Sequence, residues 1–207
     1  MRVRRKTDDG YLAHHGVKGQ KWGVRRYQNY DGTRIKTTPK KVFVSGSSKT
    51  QDSSSMYFRK ELSKDISNAL DEHIKNNNTI LVGDAPGIDR QVQDYLKKKN
   101  YKNVEVYGPG KNKVRYSADS TWKTNLIDSP GSEEGSSEWL AAKDIAMSKK
   151  ADEGLAVILD EGAHATRNNI ERLINDNKNV KVYQLNKDGT DEWVDYINSI
   201  LNKKLNN

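Results

Sequence analysis

An α/β domain built on a parallel sheet is the fold that this sequence predicts, on three observations. Short apolar runs at residues 42–44, 80–82, 104–107, 155–159 and 180–183 alternate with segments whose apolar residues recur at helical spacing. The resulting order of strand, helix, strand, helix, strand within so short a span favours right-handed crossovers, and therefore parallel pairing. Finally, residues 79–95, TILVGDAPGIDRQVQDY, run from a strand through a glycine loop into a helix. Such a junction aims the unpaired N–H groups of the first helical turn at whatever lies above the strand's carboxyl end, and the positive end of the helix dipole points there too.

Taken in order, residues 1–41 show neither helical nor strand periodicity for long and read as a basic arm, closed by the linker Thr37-Thr38-Pro39-Lys40. The globular part is expected over residues 42–207. Its first strand, Val42-Phe43-Val44, ends in Ser45-Gly46-Ser47-Ser48. A helix over 57–75 follows, with Phe58, Leu62, Ile66, Leu70 and Ile74 forming one apolar stripe. The strand at 79–82 leads into a helix reaching about residue 99 that carries Ile88, Val92, Tyr95 and Leu96. The strand at 104–107 is halted by Gly108-Pro109-Gly110.

Residues 110–137 break this rhythm, and a structureless loop so long suggests a lid or disorder. Its Arg115 and Trp122 are candidate ligand contacts, the alternative being a solvated loop. A helix over 139–149, with Leu140, Ile145 and Met147, precedes the fourth strand at 155–159. The loop at 160–166 opens a helix over 168–176 with Ile170, Leu173 and Ile174 inward. A fifth strand at 180–183 and a final helix over 191–205, carrying Trp193, Val194, Ile197, Ile200 and Leu201, complete the chain.

Composition narrows the function classes. The 207 residues suffice for one ordinary domain with a real core plus an appendage. A mean hydropathy of -0.97 leaves some of the chain solvated. Residues 1–41 hold twelve Lys or Arg against three Asp, so the remainder is close to neutral despite an overall charge of +8. The excess therefore argues that the arm meets something acidic, not that the domain binds nucleic acid. There is no cysteine, which excludes disulfide and thiolate chemistry. No apolar stretch reaches membrane-spanning length and the start lacks the apolar core of a secretion signal, so the expectation is a cytoplasmic protein away from the membrane.

Within the arm, His14 and His15 with Lys18 and Lys21 make a poor metal site for want of a third ligand, and no metal or cofactor is expected. Trp22 beside Lys21, Arg25 and Arg26 suits base stacking. A docking peptide anchored by Trp22 and Tyr27 on a protein partner accounts for the same residues. In the domain, Gly83 and Gly87 either cradle a phosphate or simply allow a tight turn. Asp84 and Asp89 either accept from ligand hydroxyls or cap the helix.

Two resemblances extend this reading. The string HHGVKGQKWGVRRYQNYDGT at 14–33 resembles a segment found in many phage and prophage proteins of Gram-positive bacteria, often in or near virion-structural proteins; it implies a phage or prophage origin. From 42 to 185 the layout is similar to the SLOG superfamily of Rossmann-like domains, related to DprA and the LOG phosphoribohydrolases, and nearest its YpsA and YspA-type branch. The carrying strings are VFVSGS at 42–47, LVGDAPGIDRQVQDYL at 81–96, NVEVYGPG at 103–110, KDIAMSKKADEGLAVI at 143–158 and TRNNIERL at 166–173. LDEGAHAT at 159–166 departs from the branch's WDGKSKGT-like string, and the LOG string PGGxGT is missing.

This likeness implies a doubly wound, parallel, five-stranded sheet in the order 3-2-1-4-5, with a ligand crevice where that order reverses. The crevice walls would be Ser45-Gly46-Ser47, residues 83–89 and residues 160–166. It also implies a nucleotide-derived ligand and self-association. Ser45, Gly46, Ser47, Gly83, Asp84, Gly87, Asp89, Arg115, Trp122, Asp160, Glu161, Thr166, Asn168 and Asn169 are the candidate ligand-binding residues. Three functions compete. The first is binding of a nucleotide-derived small molecule, such as a host signalling nucleotide that is sensed or sequestered. The second is an N-glycosidase or phosphoribohydrolase using Asp84, Asp89, Asp160 or Glu161. The third is a virion-associated protein whose globular part is cargo or spacer, with a phage or host protein docking on the arm.

Overall fold

The computed structural model describes residues 38–159, 162–188 and 190–194. Met1–Thr38 and Pro39–Asn207 are separate units, and the second is the α/β domain. Its boundary precedes the expected one because the backbone is already tied down at Lys40. The Lys40 carbonyl accepts from the Thr79 N–H at 2.8 Å, and its own N–H donates to Asn78 Oδ1 at 3.0 Å.

Seven strands form one sheet: β1 Lys41–Gly46, β2 Thr79–Gly83, β3 Val104–Pro109, β4 Lys123–Ile127, β5 Glu153–Leu159, β6 Asn179–Leu185 and β7 Asp191–Val194. Four helices connect them: α1 Lys64–Lys75, α2 Ile88–Lys98, α3 Ser137–Lys150 and α4 His164–Asn175. The spatial order is β4-β3-β2-β1-β5-β6-β7. All pairs are parallel except β6 with β7. The five expected strands thus lie in the expected order, and two further strands flank them.

Strand alternation explains why helices cover both faces. Side chains at successive positions point to opposite sides of a sheet. Val42, Val44, Ile80, Val82, Leu155 and Val157 share one core with Ile66 and Leu70 of α1 and Val92 and Leu96 of α2. The residues between them face the other way: Phe43 and Leu81 pack with Met147 of α3 and Leu173 of α4, while Ala156 and Ile158 pack with Ile170 of α4. Strands buried on both sides read as unbroken apolar runs, which is why β1, β2 and β5 stand out in the sequence, while Glu105 and Lys181 interrupt the runs of β3 and β6.

The elements that differ from expectation are those without such a run. β4 lies inside the stretch expected to be a loop. It is an edge strand, KTNLI, with no fully buried residue, held to β3 by the ladder from Glu105↔Lys123 to Pro109↔Ile127. Glu105 on β3 accepts from Asn125 Nδ2 of β4 at 3.1 Å and from Lys150 Nζ at the end of α3 at 2.7 Å. The expected helix over 57–75 begins only at Lys64, because Ser63 caps it by accepting from the Ile66 N–H. Upstream, the Arg59 N–H donates to the Thr50 carbonyl, and Phe58 is 36% exposed instead of extending the stripe.

Where a last helix was expected from residue 191, β7 turns back antiparallel on β6, with Tyr183 opposite Trp193. The turn is closed by the Asn186 N–H on the Thr190 carbonyl, and Asp188 Oδ1 accepts from both the N–H and the hydroxyl of Thr190. Trp193 is 59% exposed and is no core anchor; Ile197, Ile200 and Leu201 lie outside the described residues. No helix among the described residues is long and apolar enough to cross a membrane.

Candidate functional site

Connections from β1 run outward through β2 and β3 to β4, then α3 crosses back to place β5 on the other side of β1. Loops leaving the carboxyl ends of β1 and β5 therefore diverge, and a crevice opens between them. It is a cleft of about 790 Å³, the size of a small-molecule site. Its walls come from Ser45–Lys49, from α3 and from the start of α4; Asp89 and Lys143 lie at its base.

Asp89, in the first turn of α2, is 5% exposed, and Lys143 of α3 is equally buried. The Lys143 ammonium donates to Asp144 Oδ1 at 2.7 Å and lies 3.8 Å from Asp89 Oδ2. Asp89 Oδ2 also accepts from the Ala85 N–H at 3.3 Å, while Oδ1 has no partner among the described residues. Burial pushes the Asp89 carboxyl up to about 6; the Lys143 charge opposes the rise, and Asp144 adds to it. Burial works against the Lys143 charge as well, but the two carboxylates outweigh it and its pKa is raised. Asn169 completes the floor, donating to Ser45 Oγ at 2.9 Å and Asp144 Oδ2 at 3.1 Å and accepting from Arg172 at 2.5 Å. A perturbed carboxyl beside a buried cation in a cleft is the usual mark of a functional site.

At the far end, α4 starts without a side-chain cap. Ala163 adopts left-handed backbone (φ 59, ψ 39), and among the described residues no side chain accepts from the first turn. The N–H groups of His164, Ala165 and Thr166 have no partner among the described residues. Thr166 is 3% exposed, lines the cleft, and its hydroxyl is likewise unpartnered. The exposed Lys49 ammonium comes within 4.0 Å of the place a side chain on Gly162 would occupy, beside the same turn.

Eight expected residues meet in this one cleft: Ser45, Gly46, Ser47, Asp89, Arg115, Thr166, Asn168 and Asn169. Four do not line it. Gly83 lies beneath the floor, where an added Cβ would overlap Asp89 Oδ2 and approach Lys143 Nζ to 2.6 Å; it is glycine so that these two side chains can sit there. Asp84 is fully buried and accepts from the Arg115 N–H at 2.8 Å and from its guanidinium at 2.5 Å, leaving no ligand role of its own. Gly87 (φ +84) packs against the Ser47 carbonyl.

The loop amides expected to hold phosphate are already used: Ala85 on Asp89, Gly87 on Gln51 Oε1 and Ile88 on the Ser47 carbonyl. In the first turn of α2 the N–H groups of Asp89 and Arg90 have no partner among the described residues, whereas in α4 all three first-turn N–H groups, with the Thr166 hydroxyl beside them, have none. Trp122 is a core residue, 4% exposed, with Nε1 donating to the Tyr101 carbonyl at 2.9 Å. Asp160 and Glu161 lie outside the described residues, as do His14, His15, Trp22 and Tyr27 of the arm.

Sequence reasoning missed Lys49, Lys143, Asp144 and Arg172. Lys143 and Asp144 sit where a helix pattern reads as solvated; the one available signal was that α3, unlike the other helices, has no clean polar face in SEWLAAKDIAMSKK. Among the described residues no cluster of His, Cys, Asp or Glu is arranged to hold a metal ion. A family model described as a family of unknown function, DUF7211, matches residues 4–29, overlapping the phage-like segment of the arm. No curated protein matches the chain, and no solved structure matches it.

Proposed function

We propose that the cleft binds a phosphate-bearing, nucleotide-derived small molecule. The observation that carries the reading is the start of α4: three N–H groups and the hydroxyl of the buried Thr166, all without a partner among the described residues, lie at one end of the cleft, at the positive pole of a twelve-residue helix. Lys49 adds a cation beside them. The free Asp89 Oδ1 on the floor suits a ribose hydroxyl as donor. The likeness of residues 42–185 to SLOG domains supports the same class of ligand. The phage-like arm supports a protein that senses or sequesters a host signalling nucleotide in the host cytoplasm. Calorimetric titration of the full chain against cyclic and linear nucleotides and ADP-ribose derivatives tests this. Binding that Thr166→Val weakens about tenfold, the worth of one charge-assisted hydrogen bond, is expected; flat titrations across the panel overturn it.

One observation favours a second reading as an enzyme. A buried carboxyl titrating near 6 is suited to donate a proton to a leaving base at neutral pH, as an N-glycosidase requires. Incubation with nucleoside monophosphates followed by chromatography for free base decides between them: release that Asp89→Asn abolishes supports catalysis, and no release leaves binding alone.

A further inference from the structure

The geometry points to a ligand carrying two phosphate groups, with Arg115 as the receptor for the second. This rests on the binding reading above and narrows its ligand to a molecule with two phosphates. The first anion site is the start of α4, above β5. The second is Arg115, on the connection from β3 to β4, held above the end of β2 by Asp84.

Asp84 takes one guanidinium nitrogen at 2.5 Å; Nε and Nη1 have no partner among the described residues, and the side chain lines the cleft. A charge held this way is preorganised: Asp84 is wholly buried, while the Arg115 side chain is 41% exposed. The fork of remaining donors matches a phosphate. Strands β2 and β5 flank β1, so the two cationic ends stand about two strand spacings apart, on the order of 10 Å before side chains lean inward. A single phosphate oxygen does not reach both ends, whereas a second phosphate group on the same ligand, in a pyrophosphate or at another position of the sugar, does, each end adding a hydrogen bond of about 3 Å. Asp89 lies at the base of the same cleft, and its Oδ1, without a partner among the described residues, accepts a hydroxyl.

Arg115 is therefore a specificity-determining residue and Asp84 a positioning residue. The test is calorimetric titration of the full chain with adenosine and guanosine 5′-monophosphates, with their 5′-diphosphates and with their 3′,5′-bisphosphates. One of the two-phosphate forms is expected to bind at least tenfold tighter than the monophosphate, and Arg115→Ala to bring that ratio close to one. Because this variant leaves a buried carboxylate short of its partner, the double variant Asp84→Asn with Arg115→Ala is measured alongside it, with a melting curve for each. Equal affinity for ligands with one and two phosphate groups in the parent protein, or a ratio that survives loss of Arg115, overturns the inference while leaving phosphate binding at α4 intact. Failure of every nucleotide to bind overturns both.

Discussion

Asp89 offers the sharpest test of the cleft's electrostatics. Its carboxyl is raised from an ordinary 3.8 to about 6, chiefly because burial strips water from the charged form. The folded state therefore holds this proton more tightly than the unfolded chain does. The resulting stabilisation is fully present below about pH 4, where both states are protonated at this site, and is lost as pH rises through about 6. A shift of about two units corresponds to about 3 kcal/mol between these limits.

Asp89→Asn keeps the shape and carries no charge, so it lacks this slope. Scanning calorimetry from pH 4 to 8 should find the variant and the parent similar at the acid end. Above pH 7 the variant should melt higher by about 5 °C or more, taking about 2–4 °C per kcal/mol for a domain of this size. Parallel pH profiles for the two proteins would refute the account, since they would mean that the buried carboxylate carries no desolvation cost.

Other substitutions separate structural from ligand-facing residues. Trp122→Ala should lower stability by about 3–5 kcal/mol, through the cavity and the lost bond to Tyr101, without altering ligand affinity in the molecules that remain folded. Chemical denaturation read by tyrosine fluorescence and a parallel titration check both halves. Gly87→Ala should cost roughly 2 kcal/mol or more, because the new Cβ meets the Ser47 carbonyl at a left-handed backbone position; a melting temperature within a degree of the parent would contradict it. Asp84→Ala should destabilise by about 1–3 kcal/mol, the worth of the charge-assisted hydrogen bonds lost with Arg115, whose half-exposed guanidinium is left to water, and a urea midpoint unchanged from the parent would count against that ion pair.

The sequence revealed what depends on contiguous residues. Three unbroken apolar runs, in β1, β2 and β5, announced strands buried on two faces, and the stripes of α1 and α2 announced helices laid over them. β4 and β7 were hidden because edge strands need only one neighbour and little burial. KTNLI has too few apolar residues to be seen, and Trp193 looked like the anchor of a helix until its exposure showed otherwise. Ser63 was readable as a cap in principle, but the apolar positions at Phe58 and Leu62 happened to continue the helical period beyond it.

Within the cleft, the loops after β1 and β5 and the Asp89 turn were legible because topology alone sends them to the same place. Which groups remain open to a ligand was not legible. Asp84 and Asp89 stand five residues apart in one glycine loop, yet one is consumed by Arg115 and the other faces the cleft. The Gly87 and Ile88 amides at the start of α2 are spent on Gln51 and Ser47, whereas those of His164, Ala165 and Thr166 have no partner among the described residues.

Local sequence by itself determined the types of the buried strands and of the helices between them, because periodicity is a property of neighbouring residues; the strand order and its switch point were what the resemblance implied. Only the tertiary structure decided the chemistry of the site. Hydrogen-bond capacity and charge are settled by partners from distant segments, and burial sets their energetic weight: Lys143 reaches beneath Gly83, and Asn169 reaches Ser45 across the sheet.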